Sequence, residues 1–253
     1  MRLISICPSN TEMLAYLGLI DKLVAVDDYS DWPNAVKNLP RLGPDLNINM
    51  DLVEQLSPDL VLASLSVPGM EKNIEQLQER NIPHIVLNPN SLVDIYEDFL
   101  IVGEKTGCSD RAKEVAEQFL QDVNYYKEQN RTQNKGSIYW EWWPKPIFTP
   151  GKTNWLTEVS EIVGGTNCFD HYEQASVQIN WEEVVQKNPD HICMVWVGVK
   201  EAKMNMNALL KRESATQINA VKNHNLYILE ESLFCRPSPR LIEGIKKLVQ
   251  ILN

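Results

Sequence analysis

The sequence has no CxxC pair, no paired histidines, no basic cluster and no long apolar run, and each absence removes a class of function. Its five cysteines, Cys7, Cys108, Cys168, Cys193 and Cys235, are scattered and odd in number, which suggests neither a zinc knuckle nor a disulfide framework. Cys7 and Cys193 lie in apolar strand-like runs, where a thiol serves as a small buried hydrophobe. That usage leans toward a reducing compartment. The four histidines, His84, His171, His191 and His224, are far apart, so no metal site is expected. A formal net charge of −10, without a lysine or arginine cluster, argues against nucleic acid and anionic membrane as principal partners. No apolar run approaches the roughly 20 residues of a membrane span. Met1 leads straight into Arg2-Leu3-Ile4-Ser5-Ile6-Cys7 without the basic and apolar regions of a signal peptide. Two locations follow: cytoplasmic if Met1 is the native start, or extracytoplasmic, periplasmic or as a membrane-anchored lipoprotein, if a leader was removed. The chain also lacks GxSxG, a P-loop, HExxH and a GxGxxG after a strand. No catalytic constellation is present, and the expectation is a protein that is not an enzyme.

What is present is an α/β pattern. The chain has 253 residues, 43% hydrophobic and 23% charged, which suits one large or two small globular domains. Ser109 to about Gln129 reads as one uninterrupted helix, with Ala112, Val115, Ala116, Phe119, Leu120, Val123 and Tyr126 recurring at three- and four-residue steps. Before it, apolar runs at Leu3 to Cys7, Leu23 to Val26, Leu60 to Ala63 and His84 to Leu87 read as strands. Helices are expected over Glu12 to Leu17, Asp51 to Leu56, Gly69 to Arg80 and Leu92 to Lys105. After it, strands are expected at Ser137 to Trp140, Ile192 to Val197 and Leu226 to Leu229. Helices there are expected at Asn154 to Val163, Trp181 to Gln186, Asn207 to Lys211 and Pro239 to Leu252. Short apolar strands alternating with helices indicate parallel sheets. The reading is two α/β lobes, residues 1–107 and 132–253, joined by a backbone helix over 108–131.

Two further signals stand out. Asp51-Leu-Val-Glu-Gln-Leu-Ser-Pro58-Asp59 and Glu182-Glu-Val-Val-Gln-Lys-Asn-Pro189-Asp190 share a register, which suggests internal duplication and places Asp51 and Glu182 at equivalent positions. Each sits in the first turn of its helix, where a carboxylate is favoured by the free N–H groups and is open to arginines of a partner. Tyr139-Trp140-Glu141-Trp142-Trp143-Pro144-Lys145-Pro146 then gathers three tryptophans beside two prolines. Prolines limit a strand, so part of this cluster is expected to project from a loop. With Tyr29, Trp32, Phe148, Trp155 and Phe234 it could line a cleft for a large flat ligand.

The stretches ISICPSNTEMLAYLGL, DDYSDWP, NMDLVEQLSPDLVLAS, KPIFTPGKTNWLTEVSEIVGG and RPSPRLIEGIKKL together resemble the substrate-binding proteins of cobalamin and ferric-siderophore ABC importers, over nearly the whole chain. The resemblance implies two Rossmann-like lobes with central parallel sheets, one long backbone helix and a ligand cleft between lobes. It implies a monomer that delivers cobalamin or a related corrinoid to importer membrane subunits, with a ferric siderophore, haem or a cytoplasmic corrinoid carrier or enzyme as alternatives. By position, Asp51 and Glu182 match the acidic residues that dock onto importer arginines, although the family usually has Glu where Asp51 stands. Tyr29 and Trp142 match ring-packing aromatics, whereas Asp45 and Ser64 stand where cobalamin binders can carry tryptophan. With the aromatic cluster read above, the candidate ligand set is Tyr29, Trp32, Trp142, Trp143, Phe148, Trp155, Phe234 and Arg41. Arg41 and Arg236 are the cations that an anionic ferric complex would call on, with Arg236 expected to serve the structural turn before the last helix instead.

Overall fold

A computed structural model describes residues 1–252, which form two compact units. One comprises Met1–Pro89, Val93–Leu120 and Pro237–Pro239; the other takes Asn90–Leu92, Gln121–Arg236 and the stretch from Arg240 onward. The division falls inside the long helix, between Leu120 and Gln121.

The first unit runs β1 (Leu3–Ser5), α1 (Pro8–Tyr16), β2 (Leu23–Val26), α2 (Met50–Gln55), β3 (Leu60–Ser64), α3 (Glu71–Glu79), β4 (His84–Leu87), α4 (Leu92–Thr106) and the first half of α5 (Ser109–Asn130). Its four strands are parallel in the order β2-β1-β3-β4. Strands covered on both faces need continuous apolar runs, and Ile4, Ala25, Val61 and Ala63 form one core with Val53 of α2 and Leu77 of α3. Helix α1 begins at Pro8, ahead of the expected start at Glu12, because proline is preorganised for the first helical position and Cys7 serves as N-cap without a side-chain bond. At 22 residues α5 is about 33 Å long. Ala112, Val115, Ala116, Phe119 and Val123 are its buried stripe. A Cβ on Gly103 of α4 would lie 2.2 Å from Cβ of Ala112, so glycine is what lets these two helices approach.

The second unit continues with β5 (Ser137–Glu141), β6 (Trp143–Pro144), β7 (Ile147–Pro150), α6 (Trp155–Ile162), β8 (Thr166–Asn167), β9 (Ser176–Ile179), α7 (Trp181–Lys187), β10 (His191–Met194), α8 (Met206–Leu210), α9 (Asn219–Lys222), β11 (Leu226–Ile228), α10 (Glu231–Phe234) and α11 (Leu241–Ile251). Its parallel sheet, read as β8-β5-β10-β11, repeats the order of the first. The duplicated segments are alike in detail. Asn49 and Asn180 cap α2 and α7, accepting from Leu52 N at 3.1 Å and Glu183 N at 3.0 Å. Ser57 and Asn188 are left-handed at φ 45° and 48°. Asp59 and Asp190 accept from the backbone N–H of Arg2 and Ser137, at 2.6 and 2.9 Å, tying each turn to the start of the unit's first strand.

The tryptophan-rich segment departs from the loop expected there. Strands β6, β7 and β9 form an antiparallel sheet. Pro144 is accommodated because β6 is an edge strand, where a missing donor costs no ladder bond. Strand β10 ends at Met194, short of the expected Val197, and the final helix begins at Leu241 rather than Pro239. Among the described residues no helix is long and apolar enough to cross a membrane.

Candidate functional site

In parallel α/β sheets the chemistry-bearing loops follow the carboxyl ends of the strands, and the candidates Tyr29 and Trp142 follow β2 and β5. In the first unit, the loop after β2 is held by a buried polar network. Asp27 Oδ2 accepts from the N–H groups of Tyr29 and Ser30 at 2.8 and 3.0 Å, and Ser30 Oγ donates to Asp27 Oδ1 at 2.5 Å. Ser30 Oγ lies 2.7 Å from Thr11 Oγ1, which donates to Ser5 Oγ at 2.8 Å. Burial pushes the Asp27 carboxyl up to about 6 against these bonds, which favour the ionised form. Arg41 closes the loop from outside, donating to the carbonyls of Asp27, Ser30 and Val36 at 2.8, 2.7 and 3.2 Å. Its guanidinium is therefore engaged by the loop's own backbone. Tyr29 projects from this clamped segment with 46% of its surface exposed. Trp32 is half-buried, its ring 5.7 Å from that of Tyr16.

In the second unit the aromatics separate into a packed set and an exposed set. Trp142 is 8% exposed, with its ring 5.5 Å from Trp155. Trp155 Nε1 donates to the Phe234 carbonyl at 2.8 Å, and the Phe234 ring lies 5.7 Å from Trp140. Trp155 and Phe234 are thus core residues, because their rings pack on one another's neighbours and the one indole N–H is satisfied inside. Trp143 remains 39% exposed, its Nε1 bonded to the Lys145 carbonyl at 3.1 Å. It pairs across the β6–β7 ladder with half-buried Phe148, so these two share a face.

At the end of β5, Glu141 is fully buried. Arg212 Nη1 pairs with Glu141 Oε2, and Nη2 donates to Oε1 at 3.1 Å. Tyr139 Oη and Trp196 Nε1 each donate to this carboxylate at 3.2 Å. The Arg212 guanidinium sits 4.8 Å above the Trp181 ring, a cation–π geometry. Burial and the neighbouring Glu141 charge raise the Tyr139 phenol well above its ordinary value. Neither Asp27 nor Glu141 was singled out from sequence. The available signal was an acid in or just after an apolar strand, a placement that requires partners.

The two duplicated acids are both exposed. Asp51 Oδ1 is 2.7 Å from Arg80 Nη1, which also lies 2.9 Å from Glu54 Oε2. Cys7 is buried and its thiol is pushed up to about 11 by desolvation, a structural rather than reactive state. Among the described residues no group of three His, Cys, Asp or Glu could hold a metal ion.

Residues 3–233 match the sequence profile of the family described as periplasmic binding protein. An ABC transporter substrate-binding lipoprotein of Bacillus subtilis (strain 168) is 33% identical over 255 residues, spanning 98% of this chain and 79% of that protein. A vitamin B12-binding protein of Yersinia pestis (strain Pestoides F) is 29% identical over 249 residues, 98% of this chain and 85% of that one. A solved structure from Staphylococcus epidermidis ATCC 12228, described as a possible iron-binding (periplasmic solute-binding) protein, superposes with a TM-score of 0.83 at 27% identity, covering 99% of this chain and 97% of that chain.

Proposed function

The chain belongs to the periplasmic binding protein family, and from that premise we propose that its ligand is cobalamin or a related corrinoid. It is a substrate-binding protein of an ABC importer, not an enzyme, and its partners are a small molecule and the importer. We place it outside the cytoplasmic membrane, in keeping with its lipoprotein relative.

One contrast supports the corrinoid reading. Arg41 is engaged by three backbone carbonyls. Arg236 is 7% exposed with Nη2 3.0 Å from Glu231. The cations that would meet an anionic ferric siderophore are thus engaged within the chain, whereas Tyr29 and Trp143 present aromatic surface on braced segments. A corrin ring is large, flat and largely apolar, and takes such faces at little entropic cost. Tyr29, Trp32, Trp143 and Phe148 are proposed as ligand contacts. Trp142, Trp155 and Phe234 back them as packed support, and Arg41 holds the Tyr29 loop. Asp51 and Glu182, one per unit, are proposed to dock onto arginines of the importer's membrane subunits.

Titration with cobalamin should quench tryptophan emission along a saturable one-to-one isotherm. Haemin and a ferric hydroxamate, run alongside, are expected to bind more weakly. An absence of quenching at tens of micromolar cobalamin, or tighter binding of either competitor, overturns the corrinoid assignment.

A further inference from the structure

The duplication gives Asp51 and Glu182 the same helical position but different surroundings. Arg80, at the C-terminal cap of α3, bridges Asp51 and Glu54 at 2.7 and 2.9 Å. The residue equivalent to Glu54 in the second unit is Val185. Glu183 is engaged there by the Asn180 N–H at 3.0 Å and the Tyr172 hydroxyl at 2.9 Å. Among the described residues Glu182 is exposed and forms no ion pair. One carboxylate is held by an arginine of its own chain and the other is open to solvent.

Resting on the docking reading above, we propose that Arg80 regulates docking by competing with the importer's arginine for Asp51. The chemistry is matched, since a guanidinium on its own chain presents the same fork of donors as the partner's guanidinium. The competition can be overcome because the pair is exposed: the side chains of Asp51 and Arg80 keep 75% and 32% of their surface, and such pairs are weak. Glu54 makes the exchange reversible. When the importer takes Asp51, Arg80 keeps a carboxylate partner 2.9 Å away and no charge is stranded. Asp51 is therefore the masked docking point and Glu182 the unmasked one.

The test is the affinity of the protein for importer membrane subunits of the same organism in lipid nanodiscs, at fixed ionic strength. Arg80→Gln should tighten binding about two- to five-fold, the range an exposed ion pair commands, and the gain should vanish in an Asp51→Asn background. Lys22→Gln removes the same charge from a lysine that pairs with Asp21 at 3.2 Å and should change nothing. No gain from Arg80→Gln, a gain that survives Asp51→Asn, or an equal gain from Lys22→Gln overturns the masking. If neither Asp51→Asn nor Glu182→Gln weakens binding, the docking reading itself falls and the masking falls with it. If either of them weakens binding while Arg80→Gln does nothing, only the masking falls.

Discussion

Replacing Asp98 by asparagine should stabilise the protein more at pH 8 than at pH 5. Asp98 lies on α4, 7% exposed, and its Oδ2 has no hydrogen-bond partner. Burial, with Asp94 and Glu97 adding repulsion, lifts its carboxyl from 3.8 to about 7. A carboxyl raised in the folded state binds its proton more tightly there than in the unfolded chain. Its stabilising contribution is fully present below about pH 4 and is lost as the pH rises through about 7. Worked through the linkage relation, ionisation of Asp98 costs about 4 kcal/mol at pH 8 and less than half of that at pH 5. Asparagine stays neutral throughout, so any fixed cost of burying its amide cancels between the two conditions. The advantage of Asp98→Asn over the parent should therefore grow by about 2–3 kcal/mol from pH 5 to pH 8. Guanidinium denaturation followed by far-UV circular dichroism reads this directly. Identical pH dependence in the two proteins would refute the reasoning.

Arg212→Met should cost about 3–5 kcal/mol, because Glu141 is left buried without its counter-charge; the Glu141→Gln/Arg212→Met pair should recover much of that, and equal melting of single and double variants would speak against the pair. Trp142→Ala should open a cavity against Trp155 and cost about 3–5 kcal/mol in chemical denaturation. Trp143→Ala, at an exposed edge strand, should leave the melting temperature nearly unchanged and weaken cobalamin binding in the quenching titration. Unchanged binding in Trp143→Ala removes that residue from the contact set.

The tryptophan cluster separates what neighbours along the chain decide from what the fold decides. Periodicity locates α5 to within one residue at its end, because a 22-residue helix with one apolar stripe and no proline has no competing structure. The register shared by Asp51 and Glu182 was also legible, from the acid and the Pro-Asp turn of each segment, whereas the Asn49 and Asn180 caps of those helices emerged only from the structure. Which of Trp142 and Trp143 faces solvent was not legible. That depends on strand β7 pairing back onto β6 and on Trp155 and Phe234 arriving from residues further along the chain, and adjacent positions differ only by which side of the ladder they take.

The same division holds for the polar residues. The sequence alone determined the α/β alternation, the long helix, the duplication and the family, because each rests on contacts within about a dozen residues or on patterns repeated along the chain. Tertiary structure alone decided that Arg41 is a loop clamp, that Glu141 meets Arg212 across 71 positions, and that Arg80 pairs with Asp51 while Glu182 stands without an ion pair among the described residues. A charge declares its type in the sequence, but its partner is chosen by the fold. An ion pair needs its two groups within about 4 Å of one another, and spacing along the chain carries no record of that distance.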